Sequence, residues 1–194
     1  LSEIKNWKKG MAKCYIRLGW EKYLHGDFAK ALDFDFKALK TGEEMQNKKI
    51  ISAALGSIGS VYKEEGDYPK ALGYFFRALK IDKELENKYG ISRHLGNIGI
   101  VYKDQAERQQ NLNKTKKDSL YQKALDYYIM AMKIGEELGD KNRVSIQLGN
   151  IGNVYKNQAN YPMALDYYFK ALKLRRELGT KDLIASNLGN IGSV

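Results

Sequence analysis

The segment Leu95-Gly96-Asn97-Ile98-Gly99 returns as Leu148 to Gly152 and again as Leu188 to Gly192, with Leu55 to Gly59 as a near-copy. The steps between copies are 40, 53 and 40 residues, so the chain holds one array interrupted by a single insertion of 13 residues. A fixed period of roughly 20–50 residues means stacked supersecondary units, each leaning on its neighbours, and excludes a single globular core.

The copies share an internal layout. In the copy that starts at Ser52, small or apolar residues fall at Leu55, Ile58, Gly59 and Tyr62, the 3/4 spacing of a helix face. Gly66-Asp67-Tyr68-Pro69 then reads as a turn and a helix start: Asp67 is placed as an N-cap, and Pro69 sits in the first turn, where a missing N–H costs little. A second periodic run follows at Ala71, Leu72, Phe75, Ala78 and Leu79. Each copy is therefore an antiparallel helical hairpin, and the fold class is all-α, an α-solenoid of such hairpins.

Along the chain, repeat one covers 12–51, repeat two 52–91, repeat three 92–144 with the insertion, and repeat four 145–184. Residues 185–194 begin a fifth first helix, and residues 1–11 read as the end of a preceding second helix. Both ends look cut from a longer array, and the expectation is a fragment of a larger protein.

These residues resemble the tetratricopeptide repeat family over essentially the whole chain. The family's helix A pattern of Leu, a small residue and Tyr, with Ala, aromatic and Ala on helix B, maps onto Leu55, Ile58, Gly59, Tyr62, Ala71, Phe75 and Ala78. It maps equally onto Leu95, Ile98, Gly99, Tyr102, Ala124, Tyr128 and Ala131, and onto Leu148, Ile151, Gly152, Tyr155, Ala164, Tyr168 and Ala171. The family period is about 34 residues with a Pro near the repeat end; here it is 40, and Lys83 stands about where that Pro belongs. The longer form is similar to the subset found in kinesin light chains, Gα-binding polarity adaptors and bacterial sensor proteins. A second departure is Asp35, which takes the helix B aromatic position in repeat one between Phe34 and Phe36. The resemblance implies a right-handed superhelix whose concave groove binds a peptide or partner segment, as part of a signalling or scaffold protein such as the sensory half of a bacterial signalling protein.

Eight glycines fall inside first helices: Gly56, Gly59, Gly96, Gly99, Gly149, Gly152, Gly189 and Gly192. Together they cost on the order of 7 kcal/mol against Ala, which something must offset. For Gly59, Gly99, Gly152 and Gly192 close packing of helix B suffices. A phosphate-cradling loop fails, because no Gly-Lys-Ser/Thr follows these glycines.

Gly56, Gly96, Gly149 and Gly189 lie three residues earlier, on a different face. By the resemblance that face lines the groove, where a bare backbone leaves room for a ligand chain. Beside them stand Ser57, Asn97, Asn150 and Asn190. A carboxamide gives and accepts hydrogen bonds at once, which suits an extended peptide backbone, and in relatives of the family Asn at this position contacts ligand backbone. The competing reading is that these asparagines bond a neighbouring repeat and fix stacking. Lys63, Lys103 and Lys156 recur six residues on and, with Arg17, Arg93 and the +10 net charge, favour an acidic ligand. Equally, they form a solvated helix face.

The insertion runs from Asp104 to Leu120: Asp104–Gln110 prolongs the first helix, Asn111–Lys117 reads as a polar loop, and Asp118 or Ser119 caps the next helix. It is expected to be a tolerated surface loop, with a second contact site as the alternative. The remaining chemistry is sparse. His25, His94 and Cys14 lack ligand spacing for a metal. The pairs Glu43-Glu44, Glu64-Glu65 and Glu136-Glu137 read as exposed helix ends. Tyr127-Tyr128 and Tyr167-Tyr168 read as core plus groove wall before base-stacking platforms.

No nucleophile–base constellation is visible, so neither enzyme nor cofactor is expected. At 43% hydrophobic and 29% charged, with two prolines, no stretch nears the ~18 apolar residues of a membrane span. A single cysteine excludes an internal disulfide framework and fits a reducing, cytoplasmic setting. Partners are accordingly expected to be protein or peptide, acidic in character, with no membrane. A basic solenoid on nucleic acid and self-association through array ends stand as the alternatives.

Overall fold

Asp67 behaves as its position demands: its carboxylate accepts the Lys70 backbone N–H at 3.1 Å, and Pro69 follows inside the first turn. The same cap recurs at Asp27, Asn47, Asp140 and Asn160, each side chain accepting the amide three residues on. Just before the cap the chain turns through the left-handed region, at Gly26, Gly66, Gly139 and Gly179 with φ between +65° and +78°, and at Gln46, Glu86 and Ala159 with φ between +51° and +58°. Amides past each helix end then return to its last carbonyls, as in Asp67 N to Tyr62 O at 2.9 Å. Cap and turn together reverse the chain within three residues.

The structure is a computed structural model and describes residues 2–109 and 111–194, with side chains from residue 6 onward; Leu1 and Gln110 lie outside the described residues. Every element among the described residues is an α-helix. In chain order they are α1 (Ser2–Leu24), α2 (Phe28–Glu44), α3 (Lys48–Glu64), α4 (Tyr68–Glu84), α5 (Lys88–Arg108), α6 (Lys114–Glu137), α7 (Lys141–Asn157), α8 (Tyr161–Glu177) and α9 (Lys181–Gly192). Odd-numbered helices are the first helices of the repeats and even-numbered ones the second. Hairpins begin about four residues before the repeat boundaries drawn from the sequence. Residues 2–11 are a correction to that reading: they run without a break into α1 instead of closing an earlier second helix.

The chain divides into two compact units, Leu1–His94 and Leu95–Val194. In the first, α1–α2 stacks on α3–α4 around Ala38, Leu39, Ala54, Leu55, Ile58 and Ala78. In the second, α6, α7 and the later part of α5 enclose Ala106, Leu120, Tyr121, Ala124, Tyr128, Ile151 and Val154. A smaller cluster of Val144, Leu148 and Ala171 joins α7 to α8.

The insertion is absorbed mainly by helix. As expected, α5 is prolonged, to Arg108. The predicted loop is shorter than read, because the cap is Asn113, whose side chain accepts the Lys116 amide at 2.9 Å, and not Asp118 or Ser119. The added turns carry their own apolar face: Ala106 and Leu120 are buried, and Leu112 packs against the same cluster.

Candidate functional site

The hairpins close where a first-helix glycine meets a second-helix ring. A Cβ on Gly59 would stand 2.9 Å from Phe75, and on Gly99 or Gly152 2.6 Å from Tyr128 or Tyr168. These three glycines serve close packing, as the spacing predicts; Gly192, near the chain end, meets nothing within 4 Å. Tyr127 and Tyr167 do not join the buried rings beside them. They stack on Tyr102 at 5.6 Å and on Tyr155 at 5.5 Å, across their own hairpins. Locking these rings fixes which first-helix face remains available.

That face carries the candidate binding residues. In the first unit it holds Arg17 (exposed) and Ser57 (half-buried), in line with Ser60 and Glu64 at helical spacing. Arg93 is exposed at the unit's end, with a guanidinium nitrogen 3.4 Å from His94 Nε2. In the second unit it holds Asn97 on α5, Asn150 on α7 and Asn190 on α9, all half-buried. Asn150 donates weakly to Gln147 Oε1 at 3.4 Å. Among the described residues Asn97 makes no side-chain hydrogen bond.

Sequence reasoning passed over Asn153 and Asn157, which extend the same row at i+3 and i+7 from Asn150. Asn153 accepts the Tyr168 hydroxyl at 2.7 Å, and Asn157 donates to Glu107. Their spacing was the signal that pointed to them.

The neighbouring glycines need correction. Gly56, Gly96 and Gly149 are buried, and side chains from elsewhere in the array fill the room reserved for a ligand. His94 Cε1 lies 2.7 Å from a Cβ built on Gly56, Gln147 Nε2 3.1 Å from one on Gly96, and Arg175 Nη2 3.0 Å from one on Gly149. Only Gly189 of this set, on α9, faces open space.

The lysines are also largely spoken for. Lys63 Nζ lies 2.5 Å from Glu64, whose carboxylate also accepts the Tyr23 hydroxyl at 2.9 Å. Burial and that hydrogen bond push the Tyr23 phenol up to about 12. Lys103 sits between Asp104 at 3.0 Å and Glu107 at 3.1 Å. Burial disfavours its charge, but the two carboxylates outweigh burial and raise its pKa. Lys156 donates to the Ser193 hydroxyl at 3.2 Å. Ion pairing thus offsets much of the positive stripe expected along this face.

Behind it, in the first unit, lies a polar cluster that residue spacing did not reveal. Ser52 Oγ donates to Asp82 Oδ2 at 2.7 Å, His94 Nε2 lies 3.0 Å from the same oxygen, and Asn87 donates to Asp82 Oδ1 at 2.8 Å. Burial, then the Arg93 charge, lowers the His94 pKa to about 4 against the pull of Asp82, so the ring is neutral and donates from Nε2. Although these are the residue types of a hydrolase triad, Ser52 gives its proton to the carboxylate and not to the imidazole. All three side chains are closed to solvent, so the cluster joins α3, α4 and α5 rather than a substrate.

Residues 54–89 and residues 145–178 each match a tetratricopeptide repeat model. Among solved structures the chain is similar to the apo form of RapI, at 22% identity over 92% of this chain and 60% of that one, with a TM-score of 0.75. It is similar to aspartyl phosphate phosphatase F from Bacillus subtilis, at 15% identity over 91% of this chain and 43% of that one, with a TM-score of 0.79. A third similar structure is a signal transduction ATPase with numerous domains, carrying a tetratricopeptide repeat sensor, from Pyrococcus horikoshii. There the identity is 19% over 95% of this chain and 26% of that one, with a TM-score of 0.75. The chain thus spans less than two thirds of the length of each of these three, and the likeness is one of fold. No curated protein matches the sequence. The chain carries tetratricopeptide repeats, and its fold class is the all-α solenoid of antiparallel helix hairpins.

Proposed function

We propose that this chain is a protein-interaction module that captures an extended segment of a partner protein along its first-helix face, within a larger signalling protein. The observation that carries this reading is the row of half-buried polar side chains Asn97, Asn150 and Asn190 in the second unit. Each recurs at one repeat position, and the Asn97 carboxamide is unspent among the described residues. A carboxamide so placed donates to a peptide carbonyl and accepts from a peptide N–H, so a chain laid across the row is held by its backbone whatever its sequence. A preformed row adds little ordering cost on binding.

Charge has a smaller part on this face. Lys63 and Lys103 are already ion-paired, which leaves Lys156 beside the asparagine row, and Arg17 in the first unit, as cations that favour an acidic side chain. Binding dominated by backbone hydrogen bonds is therefore only weakly salt-dependent. Phosphate neutralisation on nucleic acid loses roughly 10³-fold or more between 50 and 200 mM salt when six or more phosphates are engaged.

The test is a peptide-array screen at two salt concentrations with the parent chain and the double variant Asn97→Ala/Asn150→Ala. The expected result is salt-tolerant hits that the double variant binds about tenfold more weakly, from two lost hydrogen bonds of roughly 0.5–1.5 kcal/mol each. Its melting temperature should stay close to the parent's. If melting falls sharply while affinity holds, the asparagines are structural and this reading fails.

A further inference from the structure

The second helices repeat an ion pair at one position. In α2, Asp33 holds Lys37 Nζ at 2.6 Å; in α8, Asp166 holds Lys170 Nζ at 2.6 Å. The same register in α4 brings Gly73 where the aspartate stands and Arg77 where the lysine stands. Arg77 is exposed, makes no ion pair among the described residues, and rests its guanidinium carbon 5.6 Å from the centroid of the Tyr74 ring.

Gly73 is unlike the packed glycines of the first helices. It is exposed, and a Cβ built on it meets nothing within 4 Å. Inside a helix such a glycine weakens the helix with no packing in return. What it leaves is a depression of about 180 Å³ lined by Lys70, Gly73, Tyr74 and Arg77. Lys80 and Lys83 continue the exposed positive charge along the same helix.

We propose that this depression on α4 docks the carboxylates of an acidic segment of a partner protein, at a surface separate from the first-helix row. Arg77 offers two parallel N–H donors to a carboxylate, where Lys37 and Lys170 each give their own aspartate a single ammonium nitrogen. Tyr74 forms one wall and keeps the guanidinium in place. Gly73 lets the partner chain come down to the helix backbone, and Lys80 and Lys83 attract further acidic residues. The field is short, because Asp67 caps one end of α4 and Glu84, paired with Lys48 at 2.7 Å, closes the other. A few consecutive Glu or Asp side chains fit that span, whereas a continuous phosphate backbone meets carboxylates at both ends.

The experiment is an NMR titration of the 194-residue chain with a synthetic octaglutamate peptide at low salt. Shifts should centre on the amides of Gly73, Tyr74 and Arg77. Gly73→Asp installs the carboxylate that α2 and α8 already have and should weaken the peptide roughly tenfold through loss of a charge-assisted bond, with helix content unchanged. Arg77→Gln should do the same without touching the helix backbone. Unchanged affinity in both Gly73→Asp and Arg77→Gln, or shifts spread equally over Lys63 and Lys173, overturns the site. An octathymidylate that perturbs the same amides more strongly than the peptide overturns the choice of an acidic protein.

Discussion

Gly19 faces Asp35 across the first hairpin at the position where Gly59 faces Phe75, Gly99 faces Tyr128 and Gly152 faces Tyr168. The glycine that makes room for a ring is present, but the ring is replaced by a carboxyl group. Asp35 is 1% exposed, its Oδ1 has no hydrogen-bond partner, and burial alone pushes its pKa from 3.8 up to about 7. The flanking rings stay peripheral: Phe34 stacks on Tyr15 at 6.3 Å, and Phe36 meets Tyr74 edge-on at 6.4 Å.

Asp35 therefore leaves the first hairpin less stable at neutral pH than in mild acid. A folded pKa above the unfolded one means the native state holds its proton more tightly, so stability is greatest below about pH 4 for this group and falls as pH rises through 7. The full span is on the order of 4 kcal/mol. Urea unfolding at pH 5 and pH 8 should show Asp35→Asn losing this dependence, and Asp35→Phe should gain about 2 kcal/mol or more at pH 8 by filling the gap with a ring. A parent chain equally stable at both pH values, with no gain from Phe, would show that the carboxyl is hydrated.

His94 acts in the opposite direction. Its lowered pKa favours the neutral ring in the folded state, so its contribution is complete above about 6.5 and is lost as pH falls towards about 4. In an Asp35→Asn background, where the opposing slope is gone, stability should drop between pH 6.5 and 4.5. His94→Gln, which places at Gly56 the residue type that Gln147 places at Gly96, should flatten that drop. A slope that persists in the double variant assigns the effect to other groups.

Two glycines in first helices should respond oppositely to alanine. At Gly152 the added carbon meets the fully buried Tyr168 ring at 2.6 Å, and the overlap should cost about 1–3 kcal/mol, more than the roughly 1 kcal/mol that alanine returns to a helix. At Gly189, with nothing within 4 Å, alanine should leave stability unchanged or raise it. Thermal melting of the two variants decides; equal shifts would refute a role for close packing.

Ala159 holds a left-handed φ of +58° at the turn where Gly26 and Gly66 stand in the earlier repeats. Relieving the Cβ strain there with Ala159→Gly should stabilise the chain by about 0.5–1 kcal/mol, after the extra entropy of glycine in the unfolded chain is deducted. Chemical denaturation of that single variant, with an unchanged m-value, is the check.

The period, the hairpins, the Asp67 cap with Pro69, and the glycine–ring pairs were legible in the letters because local geometry sets them: helix spacing, capping offsets and left-handed turns act over three or four residues. The insertion was half legible. Asn113 competes with Asp118 and Ser119 as a cap on equal local terms, and only the burial of Leu120 and the packing of Leu112 select it.

The candidate binding face was legible as a row and illegible in detail. Which neighbour fills Gly56, Gly96 or Gly149 depends on side chains 38, 51 and 26 residues away, namely His94, Gln147 and Arg175. Whether Lys63 and Lys103 are free depends on how Glu64, Asp104 and Glu107 orient on the packed helices. Repetition in the sequence thus determined an all-α stack of hairpins, since each amphipathic hairpin must bury its face on the next. Tertiary packing alone decided which polar groups were consumed between repeats and which, like Asn97 and Arg77, were left facing outward, because that depends on contacts between residues no local pattern connects.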